Sequence, residues 1–241
     1  MTNIVTAFIK SIKSFCHPKI ALISFIPMSC AVIIWFAIGF ILWDFFYVVI
    51  DYFFTDILGL TGNDSVAWVP LGFTAFAVIL IFALFPLVLL TASILASFFL
   101  MPIVLKHLVQ TNYQKIEKTG VNNLFGSIRN VINATIIFLA LWVSLIPLWI
   151  LAGPLVPFLI WFFAGWLHQK IYCYDALCDY ATVGEIEKIS KENKKSLFLL
   201  GLGCSGLYIV PVLNLLVPTF MALVFSHYCL SELVRNRVEN N

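Results

Sequence analysis

Charge is scarce in this sequence. Only 11% of its 241 residues are Asp, Glu, Lys or Arg, against about 25% in an ordinary soluble domain. A water-facing surface cannot be built from so few charges, and a soluble fold is excluded. The six cysteines match no zinc or redox spacing and read as small packing residues, with Cys30, Cys204 and Cys229 inside apolar runs. The four histidines, at positions 17, 107, 168 and 227, fall in no metal-ligand pattern. No metal or other cofactor is therefore expected. A nucleophile–base pair, a phosphate-binding loop and a zinc-protease helix are all missing, so no catalytic residue is assigned and an enzyme is not expected. Lys+Arg total 14 against Asp+Glu 12, and no nucleic-acid partner is expected. The apolar run that follows Lys10, Lys13 and Lys19 is too long for a signal-peptide core and lacks a small-residue cleavage site, so this segment is expected to stay in the mature protein.

Hydrophobic residues fill the space left by the charges. They make up 62% of the chain, and the mean hydropathy is +1.02. Four stretches contain no Asp, Glu, Lys or Arg: Ile20–Trp43, Ser65–Leu105, Asn130–Leu167 and Ser196–Ser231. One crossing needs about 20 apolar residues. The first run fits a single tilted span over 20–43. The second fits one long span over 66–105, punctuated by Pro70, Pro86 and Pro102. The third and fourth carry breakers near their middles: Pro147, Gly153, Pro154 and Pro157 in one, Pro211, Asn214 and Pro218 in the other. Each reads as a helical hairpin, over 130–167 and 196–231.

The distribution of lysine and arginine sets the topology. All 14 of them lie before the first run, between the second and third, between the third and fourth, or after the fourth. The Asp44–Asp64 segment holds Asp44, Asp51, Asp56 and Asp64 and no base. Every basic residue lies on the cytoplasmic side only if the first two runs cross once each and the last two leave and return. Hairpin arms of about 15–18 residues would span a thinned bilayer at most. Partly inserted hairpins are expected, with both termini cytoplasmic. At the N-terminus, Ile4, Phe8, Ile12 and Phe15 recur at helical spacing opposite Lys10, Ser11 and Ser14, which predicts an amphipathic interfacial helix over 1–18. The fold class is thus an all-α integral membrane domain, a single one over 1–241, with two long transmembrane helices, two partly inserted hairpins and that interfacial helix.

Small residues recur in the runs. Gly201-Leu-Gly203-Cys-Ser-Gly206 spells the dinucleotide fingerprint, but no strand precedes it and it lies in a membrane run, so it reads as close helix packing. Ala92/Ala96 and Ser93/Ser97 are further small pairs. The segment His168–Lys195, with Tyr172, Tyr174, Asp175, Asp179, Tyr180, Glu185 and Glu187, reads as a solvated cytoplasmic helix pair. Helices that start inside the membrane after Pro157 and Pro218 present unpaired N–H groups and a positive dipole end, and transporters hold anions at such ends. The candidates for a path are therefore the hairpin-tip residues Gly153 and Asn214. Asn214 could equally satisfy backbone groups that the prolines free.

The stretch Trp161–Phe163, Trp166, Tyr172-Cys-Tyr174-Asp175, Glu185 and Ile209-Val-Pro211-Val-Leu-Asn214-Leu-Leu-Val-Pro218 resembles the CysZ / etoposide-induced protein 2.4 family. So does the start of the chain, an amphipathic helix followed by His17-Pro18, Ile20 and an apolar run entered through Pro27. The resemblance implies two spans and two partly inserted hairpins in a bacterial inner membrane, an oligomer of identical chains, and permeation of sulfate or another small anion through the bilayer. Sulfate-handling members carry Pro-Gly-aliphatic-Arg-Arg before the first span. Here the matching stretch is Pro18-Lys19-Ile20-Ala21-Leu22, so the paired guanidinium geometry is lost. Lys19, beside Ile20, is left as a single point charge at the anion's entrance. Eukaryotic relatives carry no implied transport role, so a non-transporting membrane scaffold or assembly protein of the same fold is the alternative.

Overall fold

The computed structural model describes residues 4–15, 18–52, 56, 84, 87–114, 116–120, 124–145, 155–214 and 216–239, without the side chains of 18, 19, 21, 46, 50, 124, 211 and 212. Among the described residues every regular element is helical, and the chain is an all-α membrane protein. The helices are α1 (Ile4–Phe15), α2 (Pro18–Ile23), α3 (Phe25–Ile41), α4 (Trp43–Tyr52), α5 (Leu87–Thr111), α6 (Leu124–Ser144), α7 (Val156–Leu177), α8 (Val183–Glu192), α9 (Lys194–Gly206), α10 (Pro211–Asn214) and α11 (Val217–Glu239). They fall into two compact units, Met1–Met28 with Ala92–Asn241, and Ser29–Thr91.

Three helices are long and apolar enough to cross a bilayer, Leu87–Thr111, Phe125–Ser144 and Val217–Glu239. Phe25–Ile41 and Trp43–Val49 make a fourth candidate, bent by 55°. Large apolar side chains on α3 and α6 point outward, Phe36 and Phe40 being 76% and 77% exposed. In water that exposure would drive aggregation; in a bilayer it is the surface that lipid tails cover. Within the smaller unit, Trp35 Nε1 donates to Thr91 Oγ1 at 3.0 Å.

Breaks fall where the prolines and glycines stand. α6 ends at Ser144 and α7 opens at Val156 with Pro157 in its first turn, where a missing N–H costs nothing. α9 ends at Gly206, a 3-10 turn spans Leu207–Ile209, Val210 is extended, and α11 begins at Val217. The arms differ from the expected length. α6 has 21 residues, α7 22 and α11 23, because each runs past its apolar stretch into polar flanks, while α9 has only 13.

α11 is the hub of the larger unit. It is buried on nearly every side, from Val217 to Asn236, and packs against α1, α5, α7 and α9. Its apolar stretch Val217–Val224 belongs in a core, and further along Ser226, His227, Glu232 and Asn236 are buried with it. α1 lies against it with Ala7 and Ser11 buried and Phe8 and Phe15 beside Phe220. A helix thus forms where one was expected, but its contact face differs from the expected one. Ser11 is fully buried and donates to Ala7 O at 2.7 Å, while Ile12 is 54% exposed. Small residues let α1 approach α11 closely, and its isoleucines are left for lipid.

A close helix contact joins α7 to α9. A Cβ on Gly201 would lie 2.3 Å from the carbonyl oxygen of Gly165, so only glycine fits there. The neighbouring glycines are less constrained: a Cβ on Gly203 would meet the Phe8 ring at 3.4 Å, and one on Gly206 would meet Trp161 at 3.7 Å.

Candidate functional site: a buried polar column

α7 carries His168, Tyr172 and Asp175 at i, i+4 and i+7, so the three share one face. That face is buried, with His168 2% and Asp175 5% exposed. Opposite, α5 carries Ser93 and Ser97 at i and i+4, both buried. A π-turn over Ala96–Leu100 closes this part of α5 with a bond from the Met101 N–H to Ala96 O. Pro102 explains the wider turn: it has no N–H to continue the ladder.

The two faces interlock through hydrogen bonds. His168 Nε2 is 3.0 Å from Ser93 Oγ, and its Nδ1 is 2.8 Å from Ser205 Oγ on α9. Ser93 Oγ also lies 3.3 Å from the Tyr208 hydroxyl, and the Tyr172 hydroxyl donates to Ser93 O at 3.4 Å. One turn further along, Ser97 donates to Asp175 Oδ2 and Ser127, from α6, donates to Asp175 Oδ1. Five segments, α5, α6, α7, α9 and the 3-10 turn that holds Tyr208, therefore feed one polar column through the bundle. Each polar atom that lacked a partner there would cost the bundle dearly, which is why hydroxyls face nitrogens and carboxylate oxygens throughout.

A second histidine is held in a similar way. His227 on α11 has Nε2 3.0 Å from Ser14 Oγ and Nδ1 3.3 Å from the Tyr113 hydroxyl, which also contacts Ser231 at 2.9 Å. Beyond the bundle, Arg237 gathers the polar connections. Its Nε donates to Glu185 Oε1 at 2.8 Å, and its Nη2 donates to Thr119 Oγ1 at 2.6 Å and Tyr180 O at 2.7 Å. Glu185 completes a capping box with Thr182 at the start of α8. The Arg237 guanidinium and the Thr182 hydrogen bonds hold the Glu185 carboxyl well below its usual range, at about 2.

Of the residues singled out from sequence, the structure describes Ile20 and Asn214. Gly153 and the Lys19 side chain lie outside the described residues. Ile20 is buried at 6% exposure, and its carbonyl accepts from Ser24 Oγ at 2.7 Å. Asn214 ends α10, and its buried Oδ1 has no hydrogen-bond partner among the described residues. The reading of His168–Lys195 as a solvated helix pair is corrected: His168, Tyr172 and Asp175 are in the core and Glu185 is in an ion pair, while Glu187 is exposed, its side chain at 65%. The signal for this was present. Polar residues at i, i+4 and i+7 form a stripe, and Ser93 and Ser97 are polar as well as small.

The fold and column define a polytopic helical membrane protein with ionisable groups enclosed by its helices. The family described as "Sulfate transporter CysZ/Etoposide-induced protein 2.4" matches this sequence over residues 7–218. The chain belongs to that family. No curated protein and no solved structure matches it.

Proposed function

We propose that this protein is a CysZ-like permease for a small anion, with sulfate the first candidate, working as a homo-oligomer in a bacterial inner membrane with both termini cytoplasmic. Family membership supports the class of activity. The observation that carries the reading is the His168 node. An imidazole and the hydroxyls of Ser93, Ser205, Tyr172 and Tyr208 offer several O–H and N–H donors inside apolar helices. Polar groups retained at membrane depth mark substrate paths, and neutral donors suit a dehydrating oxyanion without trapping it. Lys19 acts as the point charge at the entrance, and Asn214 offers its amide N–H along the way. On the exit side, a cavity of about 290 Å³ is lined by Asn130, Gln169, Lys170, Tyr174, Glu187 and Lys191; Lys191 pairs with Glu187 at 3.7 Å, and Lys170 draws an anion toward the cytoplasm. The test is competition: labelled sulfate taken up by reconstituted protein should be displaced by selenate, thiosulfate or molybdate in saturable fashion. Uptake that no oxyanion competes sinks the reading.

One observation favours a second reading, a scaffold without transport. Both ring nitrogens of His168 already have partners within the chain, and Ala21 and Leu22 stand where sulfate-handling relatives are expected to have paired arginines. Under that reading the column only locks α5, α7 and α9 in register.

A further inference from the structure

Nothing above accounts for the charge of Asp175. The side chain is 5% exposed, and among the described residues no lysine, arginine or histidine forms an ion pair with it. A carboxylate in such surroundings is costly, and two hydroxyl donors relieve only part of that cost. Its partners, however, can turn round. A serine hydroxyl is both donor and acceptor. With a bare carboxylate, Ser97 and Ser127 donate, as observed. With a cation present, the same oxygens can present lone pairs. Ser97 also sits in the π-turn of α5, a distortion that recurs at functional sites.

We propose that Asp175, with Ser97 and Ser127, is the coupling-cation site of the permease, taking up one monovalent cation, proton or sodium, as the anion crosses. The inference rests on the permease reading. If the cation is a proton, it leaves hydrated solvent, bonds to one carboxyl oxygen, and the new O–H donates to a serine that has turned to accept; release reverses these steps. If it is sodium, the two carboxylate and two hydroxyl oxygens supply a partial oxygen shell. In both cases the charge of the bound state falls by one unit. The titratable groups around it are few. α7 itself supplies Tyr172 and Tyr174, and the turn that follows it supplies Cys178 and Asp179. α5 and α6 present Ser97 and Ser127, Arg129 being exposed, and α11 brings Cys229 against Cys173, with Glu232 beyond.

The experiment is labelled sulfate accumulation in proteoliposomes, with membrane potential clamped at zero and an inward gradient of protons or sodium imposed in separate arms. A tenfold gradient of the coupled cation should raise accumulation by about tenfold, since one decade is worth about 1.4 kcal/mol. The arm that responds names the cation. Uptake by the natural chain that ignores both gradients overturns the inference and leaves the permease reading standing; no uptake in any arm overturns both. Asp175→Asn should lose the response, and a retained response overturns the proposal. If that variant takes up no sulfate, Ser97→Ala combined with Ser127→Ala is read instead. Its half-saturating cation concentration should rise by about tenfold, and an unchanged value overturns the proposal.

Discussion

Arg237 and Glu185, 52 residues apart in sequence, meet at 2.8 Å between Nε and Oε1, and their pairing ties the end of α11 to the start of α8. The carboxyl is held at about 2, against 4.5 for an unperturbed glutamate. A depressed acid stabilises the fold above its unfolded value, so this contribution is fully present above about pH 5 and is lost as pH falls toward 2. After allowance for partial exposure it is worth about 1–2 kcal/mol. Thermal melts in detergent, followed by tryptophan fluorescence, should therefore show Glu185→Gln less stable than the natural chain at pH 7 and no different at pH 2. An equal deficit at both values contradicts the assignment.

The glycines of α9 separate a required position from tolerant ones. Gly201→Ala places a Cβ 2.3 Å from Gly165 O, which forces α7 and α9 apart at a cost of about 1–3 kcal/mol. Gly203→Ala and Gly206→Ala meet ring atoms at 3.4 and 3.7 Å and should be nearly neutral. Melting temperatures of the three variants decide this. Three equal losses would mean that glycine there serves the backbone rather than the helix contact.

His168→Ala leaves the Ser93 and Ser205 hydroxyls without their shared partner and should destabilise the bundle by about 2–4 kcal/mol. His168→Gln keeps one donor and one acceptor and should recover most of that stability. On the permease reading its sulfate uptake stays about tenfold down, because the imidazole also serves the anion. Recovery of both properties together would make the column structural only.

Lys19→Ala should slow sulfate uptake at low ionic strength and flatten its salt dependence, since a single point charge at the entrance acts through a screened field. Lys19→Arg should restore the rate. Initial rates at 10 and 500 mM salt measure this, and identical rates for all three chains at both salts remove Lys19 from the entrance.

The fold was legible because its signals are local. Pro147, Pro154 and Pro157 separate α6 from α7, and Pro211 and Pro218 separate α9 from α11, whatever the rest of the chain does. Continuous apolar stretches identified the bundle for the same reason. The column was not legible. Ser93 meets Tyr208 across 115 residues and His168 across 75, and no local rule pairs helices that far apart. Within α7 alone, the spacing of His168, Tyr172 and Asp175 does mark a common face. What hid it was position: the stripe lies at the end of an apolar run, where polar residues ordinarily mean water. The same ambiguity placed Ser11 on the solvent side of α1, although it is buried against the bundle.

The central claim is transport, and the most direct measurement is the initial rate of labelled sulfate entry into liposomes holding purified, folded protein, set against empty liposomes. The account predicts saturable entry well above the empty control and a loss of most of it in His168→Ala. Entry no faster than in empty liposomes, from protein that melts cooperatively, would contradict it and leave the scaffold reading in its place.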